Sequence, residues 1–202
     1  MSEAKTNMTA IILAGGNSIR MGQNKAFVPI DGVPIITRIH TLLTELFDEV
    51  IIITNQNDLF KNLDSRIYAD LLPDKGALGG LYTGVFFSSF DYSFCVACDM
   101  PFIKGSLVQF LIRNRDNADA VVPRTSDGLQ PLHAIYSKGC LDAMRRVIDQ
   151  GKYKIIDFYN LVKVKILEES DFLYLDPLKE SFMNVNTPEE LRFAKAKGSQ
   201  GV

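Results

Sequence analysis

Between two ordinary-looking apolar stretches the chain reads Leu13-Ala14-Gly15-Gly16-Asn17-Ser18-Ile19-Arg20-Met21-Gly22-Gln23-Asn24-Lys25, a run that combines three glycines with two cations. Glycine has no Cβ, so such a loop brings backbone N–H groups within reach of phosphate oxygens. Arg20 adds a planar fork suited to paired oxygens, and Lys25 a mobile point charge. The spacing is not that of a Walker A loop, since Gln23 and Asn24 separate Gly22 from Lys25. A plain turn, whose glycines only let the chain reverse, is the bland alternative. Two cations in so short a stretch favour a bound anion instead.

Two carboxylates and two amides are the other chemical candidates. Asp99 follows the apolar run Phe94 to Ala97, where a buried strand would open onto a ligand crevice. A carboxylate there can hold Mg²⁺, which takes hard oxygen ligands and shares its coordination with waters and substrate phosphates. Read alone, the same residue also suits a turn before Met100-Pro101. Asp70 ends a shorter strand in the same way, with an Asx turn into Leu71-Leu72-Pro73 as its bland reading. Asn184 and Asn186 lie two apart, so on an extended segment both amides face one side; alternatively they only prepare a helix cap at Thr187. Arg124 and His133 are weaker candidates, and the Lys163 and Lys165 face reads as solvated surface. Cys95 and Cys98, three apart on a strand, point to opposite faces and suit burial better than a shared metal.

The elements that must carry these residues follow from periodicity. Thr9 to Leu13, Val50 to Thr54, Ile67 to Ala69 and Tyr92 to Ala97 read as buried strands. Pro34 to Phe47 and Leu78 to Ser89 read as helices, and Ser106 is placed to cap another running to about Arg115. Alternation at this spacing implies a Rossmann-like α/β three-layer sandwich, a mostly parallel sheet between helices. After Val121 the rhythm changes. Asp127-Gly128 signals a turn, Gln130 to Tyr136 a strand, Lys138 to Gln150 a helix, and Val162, Val164 and Ile166 a strand with one wet face, so the C-terminal half carries an antiparallel element. Thr187-Pro188-Glu189-Glu190 is a capping box that opens a last helix, beyond which the polar tail frays. One domain over 1–202 is expected, with a change of rhythm after residue 120.

Composition narrows the function further. With 47% hydrophobic residues in 202, the chain buries its own core without staples. Lys+Arg 22 against Asp+Glu 24 leaves no general basic field for nucleic acid or an anionic membrane. The longest apolar runs fall far short of the ~20 residues of a membrane span. Three cysteines and a polar start without a secretory core point to a reducing, cytoplasmic setting.

The run L-A-G-G-x-S-x-R-M-G-x-x-K resembles the signature of the molybdenum cofactor guanylyltransferases, within the nucleotidyltransferase superfamily. Asp70, Gly79-Gly80 at the opening of a helix, Cys98-Asp99-Met100-Pro101-Phe102 and Asn184-Val185-Asn186-Thr187-Pro188-Glu189-Glu190-Leu191 fit the same family in order. The resemblance implies transfer of GMP from GTP to the terminal phosphate of molybdopterin, with release of pyrophosphate. It implies nucleotide contacts at Leu13, Ala14, Gly15, Gly16, Lys25, Asp70 and Asp99, catalytic roles for Arg20, Lys25 and Asp99, Mg²⁺ on Asp99, and pterin-side contacts at Asn184 and Asn186. It also implies a nucleotide-binding half over 1–120, a pterin-side half over 121–202, and transient contact with proteins of molybdenum insertion or molybdoenzyme maturation. Gly15 gives the guanine-type L-A-G-G, where the related cytidylyltransferases resemble L-A-A-G. A molybdopterin cytidylyltransferase, a sugar-1-phosphate nucleotidylyltransferase and a non-catalytic GTP-binding regulator stay open as alternatives.

Overall fold

The structure is a computed structural model that describes residues 5–15, 25–185, 190 and 192. Its strands in chain order are β1 (Thr6–Leu13), β2 (Pro29–Ile30), β3 (Val33–Pro34), β4 (Phe47–Ile53), β5 (Arg66–Tyr68), β6 (Tyr92–Ala97), β7 (Ala120–Thr125), β8 (Gly128–Leu129), β9 (His133–Ser137) and β10 (Val164–Glu168). The α-helices are α1 (Ile35–Leu46), α2 (Asn57–Phe60), α3 (Gly76–Phe87), α4 (Gly105–Arg113), α5 (Leu141–Asp149) and α6 (Glu169–Phe172). The main sheet runs β10-β7-β9-β6-β1-β4-β5, with β8 paired to β7; β2 and β3 form a separate hairpin. β6, β1, β4 and β5 are mutually parallel, β9 lies antiparallel to both β6 and β7, and β10 is parallel to β7.

The side-chain alternation of β1 explains the layers. Ala10 and Ile12 enter one buried cluster with Ile35, Ile39 and Leu43 of α1 and Leu107 and Leu111 of α4. Ile11 and Leu13 point the other way, into a cluster with Leu78, Leu81 and Val85 of α3 and Met144 and Val147 of α5. A strand buried on both faces has no polar positions to spare, hence its unbroken apolar run. The exception is Thr9, whose hydroxyl bonds to the buried Glu49 carboxylate, itself paired with Arg66 at the sheet's far end from the site. Cys95 and Cys98 fall into opposite clusters, and all three cysteines are buried free thiols.

Several boundaries differ from the sequence expectation. Lys104, not Ser106, precedes the first turn of α4, and it supplies no side-chain cap. Gly79 and Gly80 lie inside α3 rather than opening it; Gly76, at φ +61°, does that. β9 begins at His133 because Gln130 to Leu132 form a turn, in which the Gln130 amide donates to Thr125 Oγ1 at 2.9 Å. Lys138 to Cys140 is a 3₁₀ turn ahead of α5. The expected strand alternation resolves as β7 and β10 side by side, with Lys165 paired to Asp116 at 2.7 Å. Thr187-Pro188-Glu189 and the tail expected to fray lie outside the described residues.

Candidate active site

The carboxyl ends of β1, β4, β5 and β6 lie together, and the loops leaving them line a cleft of about 780 Å³. A row of hydrogen bonds continues the sheet one step into these loops and forms the cleft floor. Cys98 N–H donates to the Leu13 carbonyl at 3.1 Å, Ala14 N–H to Ile53 at 2.9 Å and Thr54 N–H to Tyr68 at 3.0 Å. The last member is the Asp70 N–H, which donates to Asn55 Oδ1 at 3.0 Å. Asp99 and Asp70 therefore stand at opposite ends of one rigid floor, three strand spacings or roughly 14 Å apart.

Into this cleft the fold brings Leu13, Ala14, Gly15, Lys25, Asp70, Asp99 and Asn184. Gly16, Arg20 and Asn186 lie outside the described residues. Nothing among the described residues comes within 4 Å of a Cβ built on Gly15, so packing does not demand glycine there. Burial pushes the Asp99 carboxyl above the usual carboxylate range; its own backbone N–H and the nearby Lys25 pull it back, and Glu190 adds to the rise. A carboxylate taken partly out of water gains from an opposite charge beside it, a place a cation can fill. Among the described residues no three His, Cys, Asp or Glu side chains gather into a metal cage. A single half-buried carboxylate at an open cleft suits Mg²⁺, which completes its shell with water and phosphate oxygens, far better than it suits a cation that needs an all-protein cage.

Asp70 meets both of its sequence readings at once. Its Oδ1 accepts from Leu72 N–H at 2.9 Å, which is the Asx turn, and from Thr83 Oγ1 of α3 at 2.8 Å, while the residue still lines the cleft. Gly79 permits this: a Cβ there would meet the Leu72 carbonyl at 2.6 Å. The weaker candidates leave the site. Arg124 is paired with Glu168 at 2.9 Å on the surface. His133 is fully buried between the edges of Phe94 and Phe182, with neither ring nitrogen hydrogen-bonded, and burial pushes it down to about 3. Cys98 touches the cleft but is no nucleophile, its thiol pushed up to about 12, chiefly by burial. Thr54, Asn55, Gln56, Asp74 and Leu132 also line the cleft and were not singled out by sequence. The first three follow β4 directly, so placing that strand's end marks them.

Residues 10–164 match the model of the MobA-like NTP transferase domain. The chain is 39% identical over 183 residues to a probable molybdenum cofactor guanylyltransferase of Pelotomaculum thermopropionicum, covering 91% of this chain and 89% of that protein. It belongs to the MobA-like NTP transferase family. A molybdenum cofactor guanylyltransferase of Desulfosudis oleivorans is 37% identical, covering 94% and 95% of the two chains. The crystal structure of molybdopterin-guanine dinucleotide biosynthesis protein A from Archaeoglobus fulgidus superposes with a TM-score of 0.83 at 25% identity, over 96% of this chain and all of that one. The mostly parallel sheet with an antiparallel part is thus the family's fold, and the MobA-like chain is a nucleotidyltransferase.

Proposed function

We propose that this cleft binds GTP and Mg²⁺ and transfers GMP to the terminal phosphate of molybdopterin. An oxygen of that phosphate attacks the α-phosphorus of GTP in line. The new P–O bond forms as the bond to the β-phosphate oxygen breaks, and pyrophosphate leaves with the electron pair. The observation that carries this reading is the convergence of Leu13, Ala14, Gly15, Lys25, Asp70 and Asp99 on one cleft in a chain of this family. Lys25 and Arg20 are assigned to the phosphate oxygens, the Leu13 to Gly15 backbone to the base, and Asp70, at the far end of the floor, to the nucleoside end. Bound on Asp99, Mg²⁺ would neutralise charge on the phosphates. The reaction needs no covalent enzyme intermediate, so what the protein supplies is alignment of two anions that repel each other; such orientation contributes up to roughly 7 to 11 kcal/mol.

Gly15 supports guanine through the L-A-G-G pattern, and no described residue stands within 4 Å of the place its Cβ would take. Asn184 and Asn186 are assigned to the pterin side, with residues 121–202 forming that half of a single domain. No helix among the described residues is long and apolar enough to cross a membrane. The enzyme is assigned to the cytoplasm, where it hands its product to molybdoenzyme-maturation proteins. The test is incubation with GTP, Mg²⁺ and molybdopterin: pyrophosphate and a guanine dinucleotide are expected. Tighter binding of CTP, or turnover of hexose 1-phosphates in place of the pterin, would overturn the substrate assignment; GTP binding that never yields pyrophosphate would reduce the protein to a regulator.

A further inference from the structure

The Asp99 loop, residues 99–104, runs beside a later strap, residues 173–185, and the two are joined at both ends. At the cleft end the Val185 N–H donates to the Asp99 carbonyl oxygen at 2.9 Å. At the other end the Lys104 N–H donates to Ser181 Oγ at 2.9 Å, and the Lys104 ammonium pairs with Glu180 at 2.7 Å. Ser181 and Val185 are buried, and Asn184, between the two ties, lines the cleft.

The strap bends to make these ties through Asp176. This side chain is fully buried, and its two oxygens accept the N–H groups of Glu180 at 3.0 Å and Ser181 at 2.8 Å. Its carbonyl accepts Lys179 N–H at 3.0 Å, with Lys179 held in the left-handed region at φ 53°. Lys104 also feels the Asp176 charge. A carboxylate taken out of water is costly unless its hydrogen bonds are made, and here both oxygens are used. Left-handed backbone at a lysine likewise persists only where its surroundings hold it. The cost is concentrated on the one turn that presents Glu180 and Ser181 to the Asp99 loop.

Resting on the function proposed above, we infer that Asp176 is a positioning residue for GMP transfer: by fixing Glu180 and Ser181 it sets where the Asp99 loop and Asn184 stand in the cleft. It acts through the loop and touches no substrate. Groups that orient a metal-binding side chain from behind are typically worth about ten- to a hundredfold in metal affinity or activity.

The experiment compares wild type with Asp176→Ala, Asp176→Asn and Ser181→Ala. Three readouts are taken: hydrogen exchange of segments 98–104 and 181–185, Mn²⁺ binding in the presence of GTP by electron paramagnetic resonance, and steady-state kinetics. Asp176→Ala is expected to speed exchange in both segments, raise the Mn²⁺ needed for half-saturation about tenfold and lower kcat about tenfold or more. KM for GTP should change less, because Leu13 to Gly15 and Asp70 lie on other loops. Asp176→Asn, keeping one acceptor, should fall between. Faster exchange with Mn²⁺ binding and kcat within about twofold of wild type would make the turn merely structural and overturn the inference. If Asp176→Ala does not fold, Ser181→Ala, which removes a single acceptor, is judged by the same criteria. Failure of the functional reading is separate: wild type then yields no pyrophosphate. The exchange and Mn²⁺ readouts would still decide whether Asp176 governs the Asp99 loop.

Discussion

Lys25 lies within electrostatic reach of Asp99, and together they give the cleft one positive and one negative group where phosphates and a cation would meet. Replacing either with Ala is expected to lower turnover about a hundredfold or more, the scale at which one preorganised charged contact is lost; steady-state kinetics within threefold of wild type would remove that residue from the mechanism. Asp99→Asn should also flatten the Mg²⁺ dependence. Gly15→Ala tests selection separately. With no described residue within 4 Å of the new methyl group, its unfolding curve should match wild type, while competition between GTP and CTP should move toward CTP. An unchanged preference would take base selection away from Gly15. At this scale the sequence located residues of the cleft where they sit next to a strand end, as with Gly15, Asp70 and Asp99, and Lys25 through its place in the same glycine-rich run. Asn55 escaped because its bond to the Asp70 N–H is a contact between loops of two strands, and no local pattern encodes it.

α3 is held close to the sheet by its glycines. A Cβ on Gly84 would meet Ile11 Cγ2 at 2.5 Å, inside a fully buried cluster, and one on Gly79 would strike the Leu72 carbonyl at 2.6 Å. Alanine normally favours a helix over glycine by roughly 1 kcal/mol, but overpacking a filled interior costs about 1 to 3 kcal/mol and wins here. Gly84→Ala should therefore lower stability in urea unfolding followed by circular dichroism. Gly79→Ala should in addition displace the Asp70 turn and weaken GTP binding, an effect that isothermal titration resolves. The sequence located α3 and its glycine pair, but not their purpose. Apolar periodicity reports which face is buried, whereas the distance of approach depends on the partner strand. β9 shifted for a local reason: Gln130 to Tyr136 has strand-like composition, but its first residues form a turn closed by the His133 N–H on the Gln130 carbonyl at 3.1 Å, where Pro131 has no amide to offer a ladder.

For the molecule as a whole, His133 ties stability to pH. Its folded value near 3 lies below the unfolded 6.5, so below about pH 6.5 the unfolded chain binds the extra proton and the folded state loses ground. The loss approaches about 1.4 kcal/mol per pH unit, or about 2 kcal/mol between pH 6.5 and 5. Urea midpoints at pH 7 and 5 should therefore separate more for wild type than for His133→Phe; equal separations would show that His133 is not the group responsible. The parallel half of the sheet was legible because each of its strands carries an apolar run at its carboxyl end and is followed by a helix. The antiparallel insertion of β9 was legible only as a change of rhythm, since strand order is decided by pairing between distant segments.

That insertion has a consequence for how the polypeptide is made. β6 has β1 on one side and waits for β9 on the other. Until residues 133–137 have emerged, a nascent chain carries a bare row of amide and carbonyl groups flanked by Phe94 and Val96, an adhesive border that invites pairing with a stranger. A fragment ending at Ala118 should self-associate in light scattering where the full-length protein does not, so translation stalled in that interval is the moment at which this enzyme most needs a chaperone.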